Sequence, residues 1–316
     1  MRIIATGSAV PKQVITNDQL SEILDTSDEW ITTRTGIKTR RILGEEKLEH
    51  LAAKAAMNAL EQAGMSAGEL DFIVCSNVYS DFMTPSMACV VQGKIGADCP
   101  AMDINGACAG FLYALFTAQG MLKSGCKRIL VLCAESPVKM ADWTDRATCV
   151  LFGDGAAAAI VSAEGEDIPI RLTAKSRTEV LYAYNPPSNC PYTSSQPQAH
   201  KLFMNGQEVY KFAVNAATHG ISSLMEEKGI TADDVDHFVL HQANLRIIEA
   251  VRMRMKQPKE KFPTNIENRG NSSSAGLPIL LDELNRSGKL KKGDIIALSA
   301  FGAGLVSGAG LMEWTL

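Results

Sequence analysis

Unbroken apolar runs alternate along this chain with apolar positions at helical spacing. The run Ala101–Ile104 reads as a buried strand, and the small residues Gly106, Ala107, Ala109 and Gly110 after it suit a tight turn. From Phe111 onward, Leu112, Leu115, Phe116 and Met121 recur near helical spacing, which predicts a helix that Gly125 can close. Residues 129–132 and 295–298 are further apolar runs of strand length.

The pattern repeats. Residues 51–74 read as an alanine-rich helix, a glycine, a polar turn and a strand, and residues 217–239 read the same way. Gly64 aligns with Gly229, Ala67 with Ala232, Asp71 with Asp236 and Val74 with Val239, each at an offset of 165. Further on, Ala109-Gly110 matches Ala275-Gly276 and the run 129–132 matches 295–298, at an offset of 166. Gly-rich connections follow in both halves, Phe152-Gly-Asp-Gly-Ala and Phe301-Gly-Ala-Gly-Leu. A shared order of helix, strand, small-residue elbow, helix and strand predicts two similar α/β halves, 1–165 and 166–316, packed about a pseudo-twofold axis.

That order places a thiol, Cys108, where a strand gives way to a helix. Unpaired backbone N–H groups and the helix dipole at such a point would stabilise a thiolate, lower its pKa and hold a developing oxyanion. Cysteine is also a common small buried hydrophobe, and Cys75, Cys89, Cys99, Cys126, Cys133, Cys149 and Cys190 fit that role. Taken locally, Cys108 fits either reading. The pseudo-twofold brings more chemistry to it: Asn271 lies just before the second elbow helix, and His241 follows the strand ending at Leu240 much as Ser76 follows Val74. Carboxyl ends of strands are where ligands gather in α/β sheets. A core histidine and a helix-capping asparagine are the plainer alternatives, but their convergence on a cysteine favours a catalytic set.

Composition narrows the class. In 316 residues, 46% are hydrophobic and 21% charged, as in a globular chain with room for two cores. Eight cysteines without paired spacing argue against a disulfide framework or a zinc site, so free thiols in a reducing compartment are expected, and no metal. The N-terminal residues run straight into a strand, and the longest apolar run, 150–161, is broken by Asp154; cytoplasmic residence without membrane insertion is the expectation. A net charge of -4 gives no reason to expect nucleic-acid binding. Locally, Arg246, Arg252, Arg254, Lys256, Lys259 and Lys261 form a basic run that is either a solvated face or a dock for an acidic partner. Gly153-Asp154-Gly155 lacks the Lys and Ser/Thr of a phosphate loop and reads as a structural turn.

Six segments in order complete the picture: Asp28-Glu-Trp-Ile-Thr-Thr-Arg-Thr-Gly-Ile, Asn105-Gly-Ala-Cys-Ala-Gly-Phe, Asp145-Arg-Ala-Thr-Cys-Val-Leu-Phe-Gly-Asp-Gly-Ala, Asn205-Gly-Gln-Glu-Val-Tyr-Lys-Phe-Ala-Val, His241-Gln-Ala-Asn-Leu-Arg and Asn271-Ser-Ser-Ser-Ala-Gly. Over essentially its whole length the chain resembles the 3-oxoacyl-[acyl-carrier-protein] synthase III family of the thiolase-like superfamily. The resemblance implies a thiolase-like fold layered α-β-α-β-α, and a decarboxylating condensation of acyl-CoA with malonyl-acyl carrier protein through a Cys acyl-enzyme. It implies a catalytic triad of Cys108, His241 and Asn271 and an oxyanion hole from the backbone N–H groups of Cys108 and Ala303. It further implies contacts to CoA, a substrate rather than a cofactor, from Trp30, Arg34 and Arg146, and a carrier-protein contact at Lys211, Gln242, Ala243, Asn244, Leu245 and Arg246. Thr84 stands where many relatives carry a Phe that limits the acyl pocket across a homodimer, which implies a wider pocket here. Ala303 and Ser307 depart from a frequent Gly and a frequent Trp. A polyketide- or quinolone-type ketosynthase and a catalytically silent carrier-protein-binding subunit are the competing readings.

Overall fold

The repeated segments take up the same local structure twice. Helix Leu48–Ala63 ends at left-handed Gly64, a 3-10 turn Ala67–Glu69 follows inside a Ser66/Glu69 capping box, and strand Phe72–Ser76 comes next. In the second half helix Gly206–Lys228 ends at left-handed Gly229, turn Ala232–Asp234 sits in a Thr231/Asp234 capping box, and strand His237–Leu240 follows. The repeated aspartates have one task. Asp71 accepts the N–H groups of Lys127 and Arg128 at 2.7 and 2.8 Å, and Asp236 accepts that of Ile295 at 2.8 Å. Each carboxylate thereby fixes the start of the neighbouring parallel strand.

The computed structural model describes residues 1–185, 192 and 201–316, so most of the Pro- and Ser-rich stretch 185–197, expected to be a loop, lies outside the described residues, as does Cys190. Its first sheet has the spatial order Arg2–Ala9, Gly155–Ser162, Arg128–Glu135, Phe72–Ser76, Ala101–Ile104; its second has Ile170–Ala174, Val306–Glu313, Ile295–Gly302, His237–Leu240. In both, two antiparallel pairings are followed by a parallel one. The first sheet adds Ala101–Ile104, parallel to Phe72–Ser76. The expected burial of that strand is corrected: among the described residues it is an edge strand with a neighbour on one side only, and all its residues are half-buried.

Helices Gly110–Lys123 and Gly276–Arg286 lie between the sheets, and their Phe111, Leu112, Leu115, Leu277, Ile279 and Leu280 share one core with Val74, Val131, Val239, Ile296 and Leu298. Alternate residues of the same strands face outward. Ile73, Leu130 and Leu132 pack under Leu48–Ala63, while Phe238, Leu240 and Phe301 pack under Gly206–Lys228 and Leu245–Met255. The result is the α-β-α-β-α layering, and it explains why the central strands are apolar without alternation: both faces are covered. The long apolar run near Asp154 is such a strand, Gly155–Ser162, buried throughout.

Candidate active site

Both elbows are built by one device. Asn105 Oδ1 accepts the N–H of Ala107 at 3.0 Å, and Ala107 takes the left-handed conformation, φ 46°. Asn271 Oδ1 accepts the N–H of Ser273 at 2.9 Å, and Ser273 takes φ 51°. Each turn continues into a one-turn 3-10 helix, Ala107–Ala109 or Ser273–Ala275, and then into a helix of the middle layer. The elbows face each other across the pseudo-twofold: the Ser273 hydroxyl donates to Cys108 Sγ at 3.4 Å, and the Ser76 hydroxyl donates to that of Ser274 at 2.9 Å. Two glycines permit the approach. A Cβ on Gly110 would stand 1.9 Å from Ser76 Oγ, and one on Gly302 would stand 2.6 Å from the backbone nitrogen of Cys108.

Cys108, His241, Asn271, Ser273, Phe301 and Ala303 line one cavity of about 1170 Å³. His241 is 2% exposed, with its N–H on Ser299 O at 2.8 Å and its ring edge-on to Phe301 at 5.2 Å. The backbone of Asn271 is held from both sides, donating to Leu151 O at 2.8 Å and accepting from Gly153 N–H at 3.1 Å. With Oδ1 engaged by Ser273, the amide hydrogens on Asn271 Nδ2 are the groups left to serve the cavity. Asn271 thus braces the turn, but it does not cap a helix: neither Ser273–Ala275 nor Gly276–Arg286 has a side-chain cap.

The expected thiolate is corrected. Burial pushes the Cys108 thiol up to about 11; the Ser273 hydrogen bond acts the other way, and buried Glu135 adds to the rise. The reason is geometric: the helix proper starts at Gly110, and the sulfur sits in an elbow where lost hydration outweighs the N–H dipoles. Burial pushes His241 down to about 4, so at neutral pH the imidazole is uncharged. Glu135, raised by burial to about 8, accepts from the Ser274 hydroxyl at 2.6 Å and from Val78 N–H at 3.3 Å. At rest, therefore, thiol and imidazole face one cavity without charge.

Trp30, Arg34, Lys211, Ala243, Asn244 and Arg246 line the same cavity. Ser27 caps the helix Asp28–Thr35 that carries Trp30, and the guanidiniums of Arg34 and Arg146 lie 4.7 and 5.0 Å from the Trp30 ring centre. Two side chains from the segment after His241 cap the far end of that helix: Asn244 Nδ2 donates to Arg34 O at 3.1 Å and Arg246 to Thr33 O at 3.0 Å. The expected carrier-protein contact needs correction at Gln242, which is fully buried, donates to Leu240 O at 2.8 Å and accepts from Asn265 N–H at 3.2 Å. Leu245 is half-buried and packs at Gly36. Thr84 is exposed and does not line the cavity of the single chain, and neither does Arg146. Within the basic run, Arg252 is engaged by Glu249 at 2.8 Å, Arg254 by Asn215 at 2.6 Å and Lys261 by Asp233 O at 2.8 Å. Sequence reasoning missed Ser273, Ser274 and Glu135; the repeat register, which sets Ser274 opposite Cys108 and Ser273 opposite Ala107, was the available signal.

Known proteins match this architecture. A family model for the 3-oxoacyl-[acyl-carrier-protein] synthase III C terminal matches residues 225–314, one for 3-oxoacyl-[acyl-carrier-protein] synthase III matches 102–178, and a thiolase N-terminal domain model matches 31–136. The chain is 42% identical to the beta-ketoacyl-[acyl-carrier-protein] synthase III of Clostridium acetobutylicum, over 100% of this chain and 99% of that one. The crystal structure of 3-oxoacyl-[acyl-carrier-protein] synthase III from Aquifex aeolicus superposes with TM-score 0.91 at 42% identity, covering 99% of both chains. The priming beta-ketosynthase of the R1128 polyketide pathway superposes with TM-score 0.92 at 32% identity, covering 99% of this chain and 96% of that one.

Proposed function

The chain belongs to the 3-oxoacyl-[acyl-carrier-protein] synthase III family, and from that premise we propose how its residues divide the work. The protein is an acyltransferase-class condensing enzyme for the initiating condensation of fatty acid synthesis. Cys108 attacks an acyl-CoA thioester and becomes acylated as CoA leaves, with the N–H groups of Cys108 and Ala303 receiving the oxyanion. Malonyl carried on acyl carrier protein then enters; His241 and Asn271 donate to its thioester carbonyl and stabilise the enolate left by loss of CO₂, which attacks the acyl group. The observation that carries this reading is the convergence of Cys108 from one half with His241 and Asn271 from the other in one cavity. A neutral imidazole suits the task, because it can donate a hydrogen bond without bringing a buried charge.

Trp30, flanked by Arg34 and Arg146, supports an aromatic and cationic seat for the CoA nucleotide. Thiol, imidazole and amide supply the chemistry, so the mechanism calls for no cofactor. For the acidic carrier protein we place the dock at Arg246 and Lys211, exposed and lining the cavity, rather than on the rest of the basic run, which does not line it. Arg246→Glu is expected to raise KM for the malonyl carrier protein about 10-fold while leaving self-acylation by acyl-CoA near wild type. Equal damage to both steps would remove the docking argument.

The test of the whole reading is condensation with malonyl carrier protein against malonyl-CoA after loading with acyl-CoA. Turnover confined to malonyl-CoA would move the enzyme to metabolite condensation, and an unacylated Cys108 would leave a scaffold. The chain acts as a homodimer on this reading. The free edge of Ala101–Ile104 and the exposed Phe82, Met83 and Phe116 support a second copy as partner. Sedimentation showing only the 34.0 kDa monomer at micromolar concentration would discard it. Thr84 keeps its place as an acyl-pocket residue only in such a dimer. Among the described residues no helix is long and apolar enough to cross a membrane, and the described cysteines are free; both support residence in the cytoplasm.

A further inference from the structure

We propose that Ser273 is a further catalytic residue: its hydroxyl holds the sulfur of Cys108 and stabilises the thiolate each time that sulfur carries the charge. The proposal rests on the acyl-transfer reading above and adds a group to it. Four observations lead there. The Ser273 hydroxyl donates to Sγ at 3.4 Å, from a residue that lines the same cavity. The donor is aimed by backbone rather than by chance, since the N–H of Ser273 is fixed on Asn271 Oδ1 at 2.9 Å and its φ is 51°. The equivalent position of the other elbow carries Ala107 with φ 46°, so the elbow itself does not require a hydroxyl. Finally, the neighbouring Ser274 hydroxyl is already committed to Glu135 at 2.6 Å and cannot substitute.

The site needs such a group. The charge that acts on Cys108 comes from Glu135, at the end of strand Arg128–Glu135; His241 lines the same cavity, as do Arg34, Lys139, Lys211 and Arg246. A charge on Glu135 would oppose the thiolate, and a neutral His241 offers no positive charge to balance it. The Ser273 hydroxyl, a neutral dipole, is the side chain that hydrogen-bonds to the sulfur. During acyl transfer the Sγ–C bond forms as the C–S bond to CoA breaks, and the proton from Cys108 ends on the released CoA thiol. During condensation the enolate carbon bonds to the acyl carbon, Sγ leaves as thiolate, and it recovers a proton from water. Ser273 keeps its own proton in both steps and strengthens its hydrogen bond as charge builds on sulfur.

The test is alkylation of the full-length protein by iodoacetamide between about pH 7 and pH 9, resolved by peptide mass spectrometry, for wild type and Ser273→Ala. A hydrogen bond to an ionised group is worth about one to two pKa units, so the thiolate fraction falls about 10- to 100-fold without it. The remaining thiolate is more basic and more nucleophilic, which returns part of the loss, and Cys108 labelling is expected to slow about 3- to 10-fold. Exposed Cys89 should label at the wild-type rate, and buried Cys75 and Cys133 should stay unlabelled. An unchanged Cys108 rate overturns the proposal. So does slowing accompanied by new labelling of Cys75 and Cys133, which would make Ser273 a fold residue. Because iodoacetamide is not a thioester, failure of wild type to accept an acyl group is a separate result.

Discussion

Cys108→Ser is expected to end acyl transfer: intact mass after incubation with acyl-CoA shows no adduct, and condensation falls by at least ~10⁴-fold. A serine hydroxyl is a competent nucleophile elsewhere only when a nearby base with a pKa near neutrality removes its proton. Here the candidate base is His241, and burial holds it down to about 4, so it is a poor proton acceptor at working pH. The thiol at about 11 is hard to ionise in this elbow, yet sulfur needs less help than oxygen, whose proton is held more tightly still. The fold should be untouched, since Ser274 already occupies the equivalent elbow position and hydrogen-bonds there at 2.6 and 2.9 Å. A persistent acyl adduct on the serine variant would mean that another group activates position 108.

The same elbow shows what could be read without coordinates. Asp71 and Asp236 were legible because each serves its own half through local chemistry, clamping a strand start one repeat apart. The order of elements along the chain followed from that repeat, and with it the expected meeting of residues 108, 241 and 271. Three facts were not legible, each because it depends on what lies across a gap that sequence does not measure. Ala101–Ile104 has an apolar pattern fit for burial, but among the described residues it lies at the edge of its sheet, paired on one side. Gln242 sits in a run of polar residues, yet its side chain turns inward to Leu240 O and Asn265 N–H and holds the His241 segment together. The direction of the Cys108 shift depended on a balance between hydration and dipoles, and only the depth of the elbow decides it.

His241→Ala and Asn271→Ala are each expected to lower malonyl decarboxylation about 10²- to 10³-fold while acylation of Cys108 by acyl-CoA persists, as seen by intact mass. Both side chains are asked to donate to one thioester oxygen and act as a unit, so loss of either already removes most of the shared stabilisation, and the double variant should fall by less than the product of the single losses. The two variants differ in their structural cost. His241→Ala removes a ring whose recorded packing is against Phe301. Asn271→Ala also frees the N–H of Ser273, fixed at 2.9 Å on Oδ1, and so loosens the donor to Cys108 as well. Modest slowing of acylation is therefore expected for Asn271→Ala and not for His241→Ala. The wild-type decarboxylation rate should show no inflection from His241 between about pH 5 and pH 8, because the imidazole gains its proton only near 4. Undiminished decarboxylation in both single variants would break the assignment. An inflection near pH 6.5 that disappears in His241→Ala would instead mean that the imidazole titrates as it does in water, and that the catalytic state opens the pocket this structure keeps closed around it.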